Sequence, residues 1–213
     1  MKTVVCYGDS NTWGSMPKKD RPDSLSNRYD FKTRWPGVLQ QQLGDGFRVI
    51  EEGLNGRTTA FSDPLNKRLN GLEYIDCALM TNMPVDIVII MLGTNDTKSY
   101  LGQTPFSISS GLEQLILRAK SGDYGKDTKV LVVAPAPVRD NVLSTWPGDI
   151  FGESSIEKSK ALAGYYERVA VKNGCFFLNA GEKIQASEVD AIHLDDEAHK
   201  KLAEAIYDII HLW

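Results

Sequence analysis

Residues 1–14 read MKTVVCYGDSNTWG, and the end of their apolar run sets the first question about the fold. The run stops at Gly8 directly after Tyr7, and an Asp-Ser-Asn tripeptide follows at residues 9–11. These polar residue types and glycine are common in turns, because each bends the backbone or bonds to it locally. The same order would also hold a serine hydroxyl at the carboxyl end of a buried strand, where open α/β sheets place their sites. The rest of the chain decides between a turn and a nucleophile, because a serine without a base is a weak nucleophile.

Apolar runs recur along the chain, with helix-like stretches between them. Most of the runs are nearly continuous in valine, isoleucine and leucine, which is typical of strands covered on both faces. The predicted strands are residues 3–7, 47–53, 85–92, 129–137 and 175–181. The predicted helices are residues 35–44, 104–122 and 155–174, and a final helix begins near Asp195. Because strands and helices alternate, the sequence predicts a three-layer α/β/α fold around a parallel five-stranded sheet.

Length and composition predict one domain that spans residues 1–213. Hydrophobic residues make up 42% of the chain and charged residues 24%, which is ordinary for a globular protein. The formal net charge of -4 gives no basic surface for nucleic acid or for an anionic membrane. No apolar run approaches the roughly 20 residues that a membrane span needs. We therefore expect neither a nucleic-acid partner nor a membrane partner.

The cysteines predict a protein with reduced thiols. They are odd in number and far apart, at Cys6, Cys77 and Cys175, and their spacing is not that of metal ligands. Reduced thiols are typical of the cytoplasm, which is the expected location. The two histidines and the aspartate at residues 193–199 straddle the start of the final helix, so we expect no metal there.

Two long connections interrupt the alternation of strands and helices, at residues 15–34 and 138–154. Connections of this length are unusual in a compact domain and are often functional. The second contains an apolar set that needs burial, namely Val142, Leu143, Trp146, Ile150 and Phe151. These side chains could pack on their own domain. We instead expect a homo-oligomer in which the two connections meet and narrow the entrance to the site.

A nucleophilic serine needs a histidine base and an acid that orients the base. The chain has three histidines, of which His211 is expected at the surface and His199, beside two lysines, is expected to be solvated. His193 precedes the final helix and follows the last predicted strand, which places it at the same sheet edge as Ser10. Asp190 lies three residues earlier, close enough for its carboxylate to reach Nδ1 of His193.

Two further strand ends offer hydrogen-bond donors for an oxyanion. Gly56 follows the second predicted strand and could present a backbone N–H, and Asn95 follows the third with a side-chain amide. Each has an ordinary structural explanation as well. A turn with positive φ requires glycine, and asparagine often forms an Asx turn or a helix cap. The functional interpretation is favoured because all of these segments can converge on one edge of one sheet.

Four short blocks resemble those of the SGNH hydrolases, also called the GDSL esterase and lipase family. They are GDSNTWG at residues 8–14, GLNGRTT at 53–59, GTND at 93–96 and DAIH at 190–193. The order of the four blocks and their spacing along nearly the whole chain match those of the family. The resemblance implies that Ser10 is the nucleophile, His193 the base and Asp190 the acid that orients it. It also implies an oxyanion hole formed by the N–H groups of Ser10 and Gly56 and by the side chain of Asn95.

The chain is most similar to the arylesterase and acyltransferase branch of that family. The shared stretches include the GDS-x-TWG motif, the RW-x-GVL segment and the DIVIIMLGTNDTK segment. The branch implies a flavodoxin-like sheet, no cofactor, and hydrolysis of short acyl esters with some transfer to alcohols. Asn11 and Ser15 depart from it, since relatives often have leucine and a bulky apolar residue there. Both are expected to flank the pocket for a small ester substrate.

Two other functions are compatible with these residues. A carbohydrate O-acetylesterase would use the same site to remove acetyl groups from sugars. A non-catalytic flavodoxin-like module could instead bind a nucleotide or phosphate through its glycine-bearing loops. No Gly-x-Gly-x-x-Gly or Walker pattern follows any predicted strand, which disfavours the second of these functions.

Overall fold

A five-stranded parallel sheet forms the centre of the protein, as seen in a computed structural model that describes residues 1–21, 27–125 and 127–213. The strand order is β2-β1-β3-β4-β5. The strands are β1 Lys2–Gly8, β2 Phe47–Gly53, β3 Ile87–Met91, β4 Lys129–Ala134 and β5 Phe176–Asn179. The predicted three-layer α/β/α fold with a parallel five-stranded sheet is therefore confirmed.

Helices cover both faces of the sheet, and the alternation of side chains along β1 separates the two cores. Val5 and Tyr7 pack with the helices of one face, whereas Val4 and Cys6 pack with those of the other. The helices are α1 Ser10–Trp13, α2 Trp35–Leu43, α3 Gly71–Met80, α4 Pro105–Ala119, α5 Gly148–Phe151, α6 Ser154–Lys172 and α7 Asp196–Ile210. Helices α3, α4 and α6 lie on the first face, and α2 and α7 lie on the second.

Several predicted strands are shorter in the structure than in the sequence pattern. Strand β4 ends at Ala134 rather than at residue 137, because prolines at positions 135 and 137 have no N–H for the ladder. Strand β3 begins at Ile87 rather than at residue 85, and β5 is limited to four residues. Apolar composition alone thus overestimates strand length where prolines and turns end the hydrogen bonding.

Helix α3 is absent from the helices that the sequence patterns predict. The side chain of Asn70 caps it by accepting a hydrogen bond from the N–H of Leu72 at 3.0 Å. The final helix begins where it is expected, since Asp195 accepts the N–H of Ala198 at 2.8 Å. Asparagine and aspartate are preferred at this position because their oxygens satisfy an N–H without a partner inside the helix.

The connection at 138–154 packs mainly on its own domain. Val142 and Phe151 are buried in a small cluster together with Ala191 and Ile192, whereas Leu143 is exposed. Only part of the predicted apolar set is therefore exposed at the surface. An antiparallel bridge joins Ser15 to Arg28 within the connection at 15–34. Residues 22–26 of that connection lie outside the described residues.

The strand order places the ends of β1, β2 and β3 side by side, since β1 lies between the other two. The chain therefore passes from β1 to β2 on one side and then returns past β1 to β3 on the other, and open α/β sheets bind ligands where the strand order reverses in this way. Within the described part of the chain, no helix has the length and apolar character needed to cross a membrane.

Candidate active site

Ser10 is the first residue of α1 and lies two residues beyond the end of β1. The tight passage from strand to helix requires Gly8, because a Cβ there would overlap the hydroxyl of Thr12. Asp9 stabilises the turn, as its Oδ1 accepts the N–H of Asn11 at 2.9 Å. The strand thus stops at a glycine, and the short helix that follows holds Ser10 partly exposed at the sheet edge.

The structure brings Ser10, His193 and Asp190 into one hydrogen-bonded series. The hydroxyl of Ser10 lies 3.1 Å from Nε2 of His193, and Nδ1 of His193 lies 2.8 Å from Oδ2 of Asp190. A carboxylate can only accept, so the imidazole proton lies on Nδ1 and the lone pair of Nε2 faces the serine. The side chains of His193 and Asp190 are 8% and 1% exposed, so bulk water does not compete for their contact.

Asp190 shapes the backbone of its loop as well as orienting the imidazole. Its Oδ1 accepts the N–H groups of His193 and Ile192 at 3.0 and 3.2 Å. Burial alone raises the pKa of Asp190, but the hydrogen bonds and charge of His193 and the two backbone bonds outweigh it. The pKa of Asp190 is therefore below its ordinary value, which keeps the carboxylate ionised. Ala191, inside this turn, has a φ of 68°, which is rare for a residue other than glycine.

Two backbone N–H groups near Ser10 are available as donors. Gly56 has a φ of 83° in the turn after β2, and a Cβ at this position would lie 2.9 Å from Cδ1 of Leu69. In the described ranges, no hydrogen bond uses the N–H of Gly56 or of Ser10. A pair of unused N–H groups at the end of a sheet is the kind of donor that stabilises an oxyanion.

Asn95 lies in the 3₁₀ turn after β3, and its amide is engaged within the protein. Its Nδ2 donates to the carbonyl oxygen of Arg57 at 3.1 Å and to Oδ2 of Asp9 at 3.3 Å. Both protons of the amide are thus used. Donation to a further oxygen would replace or share the longer of the two bonds, the one to Asp9.

Two acids beneath the site are buried without an ion-pair partner in the described residues. Burial raises the pKa of Asp9 to about 6, although the N–H of Asn11 and the nearby cations lower it. Burial also raises the pKa of Asp96 to about 7, against the hydrogen bonds from Thr59 that favour its charged form. Both carboxylates hold backbone segments, which matches the structural roles that acids in these motifs often have.

The family is decided by the match along the chain. Residues 6–201 fit the model of the GDSL-like lipase/acylhydrolase family. The chain belongs to this family. Membership places it among the carboxylic ester hydrolases, and the blocks around Ser10, Asn95 and His193 all lie within the matched span.

Solved structures of this family cover the chain from end to end. A carbohydrate acetylesterase from Sinorhizobium meliloti is 41% identical, with a TM-score of 0.91, and the match covers 100% of this chain and 99% of the other. The aryl esterase of M. smegmatis is 39% identical, with a TM-score of 0.92 and the same coverage. The chain is thus about equally similar to enzymes named for two kinds of ester.

A curated relative is longer than this chain. An acetylxylan esterase from Xylanibacter ruminicola is 27% identical over a match that covers 95% of this chain. The match covers 42% of that enzyme, so the chain spans less than half of the length of this relative.

The other two histidines differ in their surroundings. His211 is exposed at the end of α7, as expected. The expectation for His199 is wrong, because this side chain is fully buried and its Nδ1 accepts the N–H of Trp35 at 3.3 Å. Burial, with smaller effects of nearby cations, lowers the pKa of His199 to about 3, so the ring is neutral. Position 199 in fact continues the apolar face of α7, three residues before Leu202.

The two departures from the family pattern are both buried and hydrogen-bonded within the protein. Ser15 is buried, and its hydroxyl donates to Oδ1 of Asn55 at 3.2 Å. Asn11 is buried as well, and its amide bonds the backbone beside His193. Within the described residues, no group of three or more His, Cys, Asp or Glu side chains is placed to hold a metal ion.

Sequence reasoning missed the residues that support the site from the neighbouring loops. Arg57 donates from Nη1 to the carbonyl oxygen of Gly8, at 3.0 Å, and Thr59 bonds Asp96. Arg57 follows Gly56 directly in the GLNGRTT block, and Thr59 is the last residue of that block. Their position in that block was the available signal, but their partners lie 49 and 37 residues away in sequence.

Proposed function

We propose that this chain is a serine esterase that hydrolyses short-chain, acetyl-type carboxylic esters such as aryl acetates. The observation that supports the proposal most is the hydrogen-bonded series from Ser10 through His193 to Asp190. Nucleophile, base and orienting acid in this order are the arrangement that acyl transfer to a serine requires.

In the proposed first step, Oγ of Ser10 attacks the carbonyl carbon of the ester and its proton passes to Nε2 of His193. The bond from the acyl carbon to the alcohol oxygen then breaks, and Nε2 returns the proton to the departing alcohol. Asp190 keeps its hydrogen bond to Nδ1 throughout and stabilises the imidazolium, as buried carboxylates do in such triads.

In the second step, water gives a proton to Nε2 of His193 and attacks the acyl carbon. The bond to Oγ of Ser10 breaks, the serine regains its proton from His193, and the carboxylic acid leaves. An alcohol in place of water would produce a new ester by the same proton transfers, so acyl transfer to alcohols is part of the proposal. No cofactor enters either step.

Both steps pass through a tetrahedral oxyanion, for which we assign three donors. They are the N–H groups of Ser10 and Gly56, which have no partner among the described hydrogen bonds, and Nδ2 of Asn95. The loss of one such donor typically raises the barrier by about 3–4 kcal/mol. Asn95 would give up its 3.3 Å bond to Asp9 for this purpose.

Labelling with a fluorophosphonate probe tests the catalytic assignment directly. The probe should modify Ser10 in the native chain, with loss of phenyl acetate hydrolysis in step with the labelling. Acetate, butyrate and longer esters then test the proposed acyl preference, with the rate expected to fall as the chain lengthens. A native protein that is neither labelled at Ser10 nor active on any ester would refute the proposed function.

A carbohydrate O-acetylesterase is the second candidate function. It is favoured by the carbohydrate acetylesterase and the acetylxylan esterase among the similar proteins. Both candidate functions would use the same triad, so only substrate preference distinguishes them. The test compares kcat/KM for acetylated xylo-oligosaccharides with kcat/KM for phenyl acetate. A non-catalytic phosphate-binding module is disfavoured by membership of an acylhydrolase family.

We further propose that the protein works in the cytoplasm and as a homo-oligomer. The first proposal is supported by three free cysteines, of which Cys6 is buried and Cys77 exposed. The second is supported by large exposed apolar side chains in the two long connections, Phe31 at 43% and Leu143 at 56% exposure. Light scattering of the purified protein measures its mass, and a monomer would contradict the second proposal.

A further inference from the structure

The side chain of Asn11 binds the backbone on both sides of His193. Its Nδ2 donates to the carbonyl oxygen of Ile192 at 3.1 Å, and its Oδ1 accepts the N–H of Leu194 at 3.1 Å. The amide thus uses a donor and an acceptor together, as a neighbouring strand would. The residue between the two bonded positions is the candidate base itself.

This contact is buried and is fixed at its other end. Asn11 is 6% exposed, and its partners Ile192 and Leu194 are 8% and 2% exposed. The backbone N–H of Asn11 donates to Oδ1 of Asp9. Asn11 also follows Ser10 directly in α1, so the segment that holds the nucleophile is tied to the segment that holds the base.

We propose that Asn11 is a positioning residue that keeps the imidazole of His193 at hydrogen-bond distance from Ser10 during turnover. This inference rests on the proposed function. The bond between Oγ and Nε2 must break and form again in every cycle, because its proton moves. The two bonds of Asn11 include no reacting atom, so they hold the two segments together throughout. A displacement of about 1 Å in such a site can cost roughly 100-fold in rate.

Replacing Asn11 with leucine removes both bonds while nearly keeping the size of the side chain. For Asn11→Leu, kcat on phenyl acetate should fall about 10- to 100-fold, whereas KM should stay within about threefold of the native value. The rate of fluorophosphonate labelling at Ser10 should fall in parallel. Loss of kcat at unchanged KM is the readout that separates positioning of the base from binding of the ester.

Asn70→Leu is the matched control. Asn70 is also buried, and its amide likewise accepts a backbone N–H, from Leu72 at 3.0 Å, and donates to a carbonyl oxygen, that of Ala60 at 3.3 Å. Its loss should lower thermal stability but leave kcat within about twofold. An equal fall in kcat for both variants would overturn the inference, because general loosening of the fold would then explain it. So would a folded Asn11→Leu protein with native kcat.

Amide hydrogen exchange in the native protein tests the same contact if Asn11→Leu does not fold. The N–H of Leu194 should exchange slowly, and rapid exchange there would overturn the inference. Failure of the proposed function has a different result, since the native chain itself would then show neither ester hydrolysis nor labelling. Native activity with an unaffected Asn11→Leu variant would reject the positioning role alone.

Discussion

The carboxylate of Asp96 accepts hydrogen bonds from both the backbone N–H and the hydroxyl of Thr59, at 3.0 and 2.6 Å. Thr59 lies three residues after Gly56, and Asp96 follows Asn95. This buried contact therefore joins the loop after β2 to the loop after β3, which hold two of the proposed oxyanion donors. Because this contact is buried, the ionised form of the Asp96 carboxylate is disfavoured.

Asp96 should make the stability of the protein depend on pH. Burial raises the pKa of Asp96 to about 7, so between about pH 4 and pH 7 the folded state binds more proton than the unfolded state. Stability from this group is therefore lost as the pH rises through that range. Asp96→Asn removes the charge and keeps an acceptor for Thr59. The free energy of unfolding of Asp96→Asn minus that of the native protein should be about 1–3 kcal/mol larger at pH 8 than at pH 5.

Urea unfolding at the two pH values measures this difference. Asp45→Asn, which changes an exposed carboxylate, is the control and should show no comparable change between pH 5 and pH 8. If Asp96→Asn and the native protein keep the same difference in unfolding free energy at both pH values, the assignment of a buried, protonated acid is wrong.

Ser10→Ala and His193→Ala should reduce ester hydrolysis to a similar extent, by roughly 10³-fold or more. The reason is that nucleophile and base act as a unit through their 3.1 Å contact, so loss of either ends the same proton transfer. Single-turnover hydrolysis of phenyl acetate measures the effect, with circular dichroism to verify folding.

His211→Ala is the control for this pair, because His211 is exposed at the end of α7 and should be dispensable. Near-native turnover by Ser10→Ala would show that Ser10 is not the nucleophile. A large loss with His211→Ala, together with a small one for His193→Ala, would require another base.

His199→Ala should destabilise the protein without changing the chemistry. The substitution removes a buried ring and leaves the N–H of Trp35, at the start of α2, without its acceptor. Together these losses should cost about 2–4 kcal/mol of unfolding free energy. Thermal unfolding measures this cost, and kcat of the folded variant should stay close to native. Unchanged stability would mean that the buried contact between α7 and α2 contributes little.

The fold was predictable because its periodic elements are strongly patterned. The buried strands follow from valine-rich runs, and the cap at Asp195 marks the start of α7. The bounds were less predictable. Proline ends β4 early, and the short α3 depends on the cap at Asn70 and on packing against α4. Burial of His199 was missed because its lysine neighbours suggested solvent, although its spacing from Leu202 matched the apolar face.

The residues of the candidate site likewise fall into a predictable group and an unpredictable group. Residues with a reactive group and a fixed motif spacing, such as Ser10 and His193, were predictable, and the structure places them in contact. Residues that act by bonding a distant backbone were not. Asn11 bonds residues more than 180 positions away, and no local pattern specifies such a partner. The strain at Ala191 was invisible too, because it arises from the turn that Asp190 forms.

That strain leads to the last prediction, on Ala191→Gly. Alanine at a φ of 68° costs about 1–2 kcal/mol relative to ordinary backbone, and glycine removes this cost. Against this gain stand the loss of a buried methyl group, about 0.8 kcal/mol, and the greater freedom of glycine in the unfolded chain, about 0.5–1 kcal/mol. The terms nearly cancel, so the free energy of unfolding of Ala191→Gly should stay within about 1 kcal/mol of native.

Ala186→Gly supplies the comparison that isolates the strain. Ala186 is also buried and lies in the same part of the chain, but its φ is not positive. Its substitution loses a methyl group and gains unfolded-state freedom with no relief of strain, so it should cost about 1–2 kcal/mol. Denaturant unfolding of both variants gives the difference between them. If Ala191→Gly costs as much as Ala186→Gly, then the turn between Asp190 and His193 stores no strain, and its geometry is held by hydrogen bonds alone.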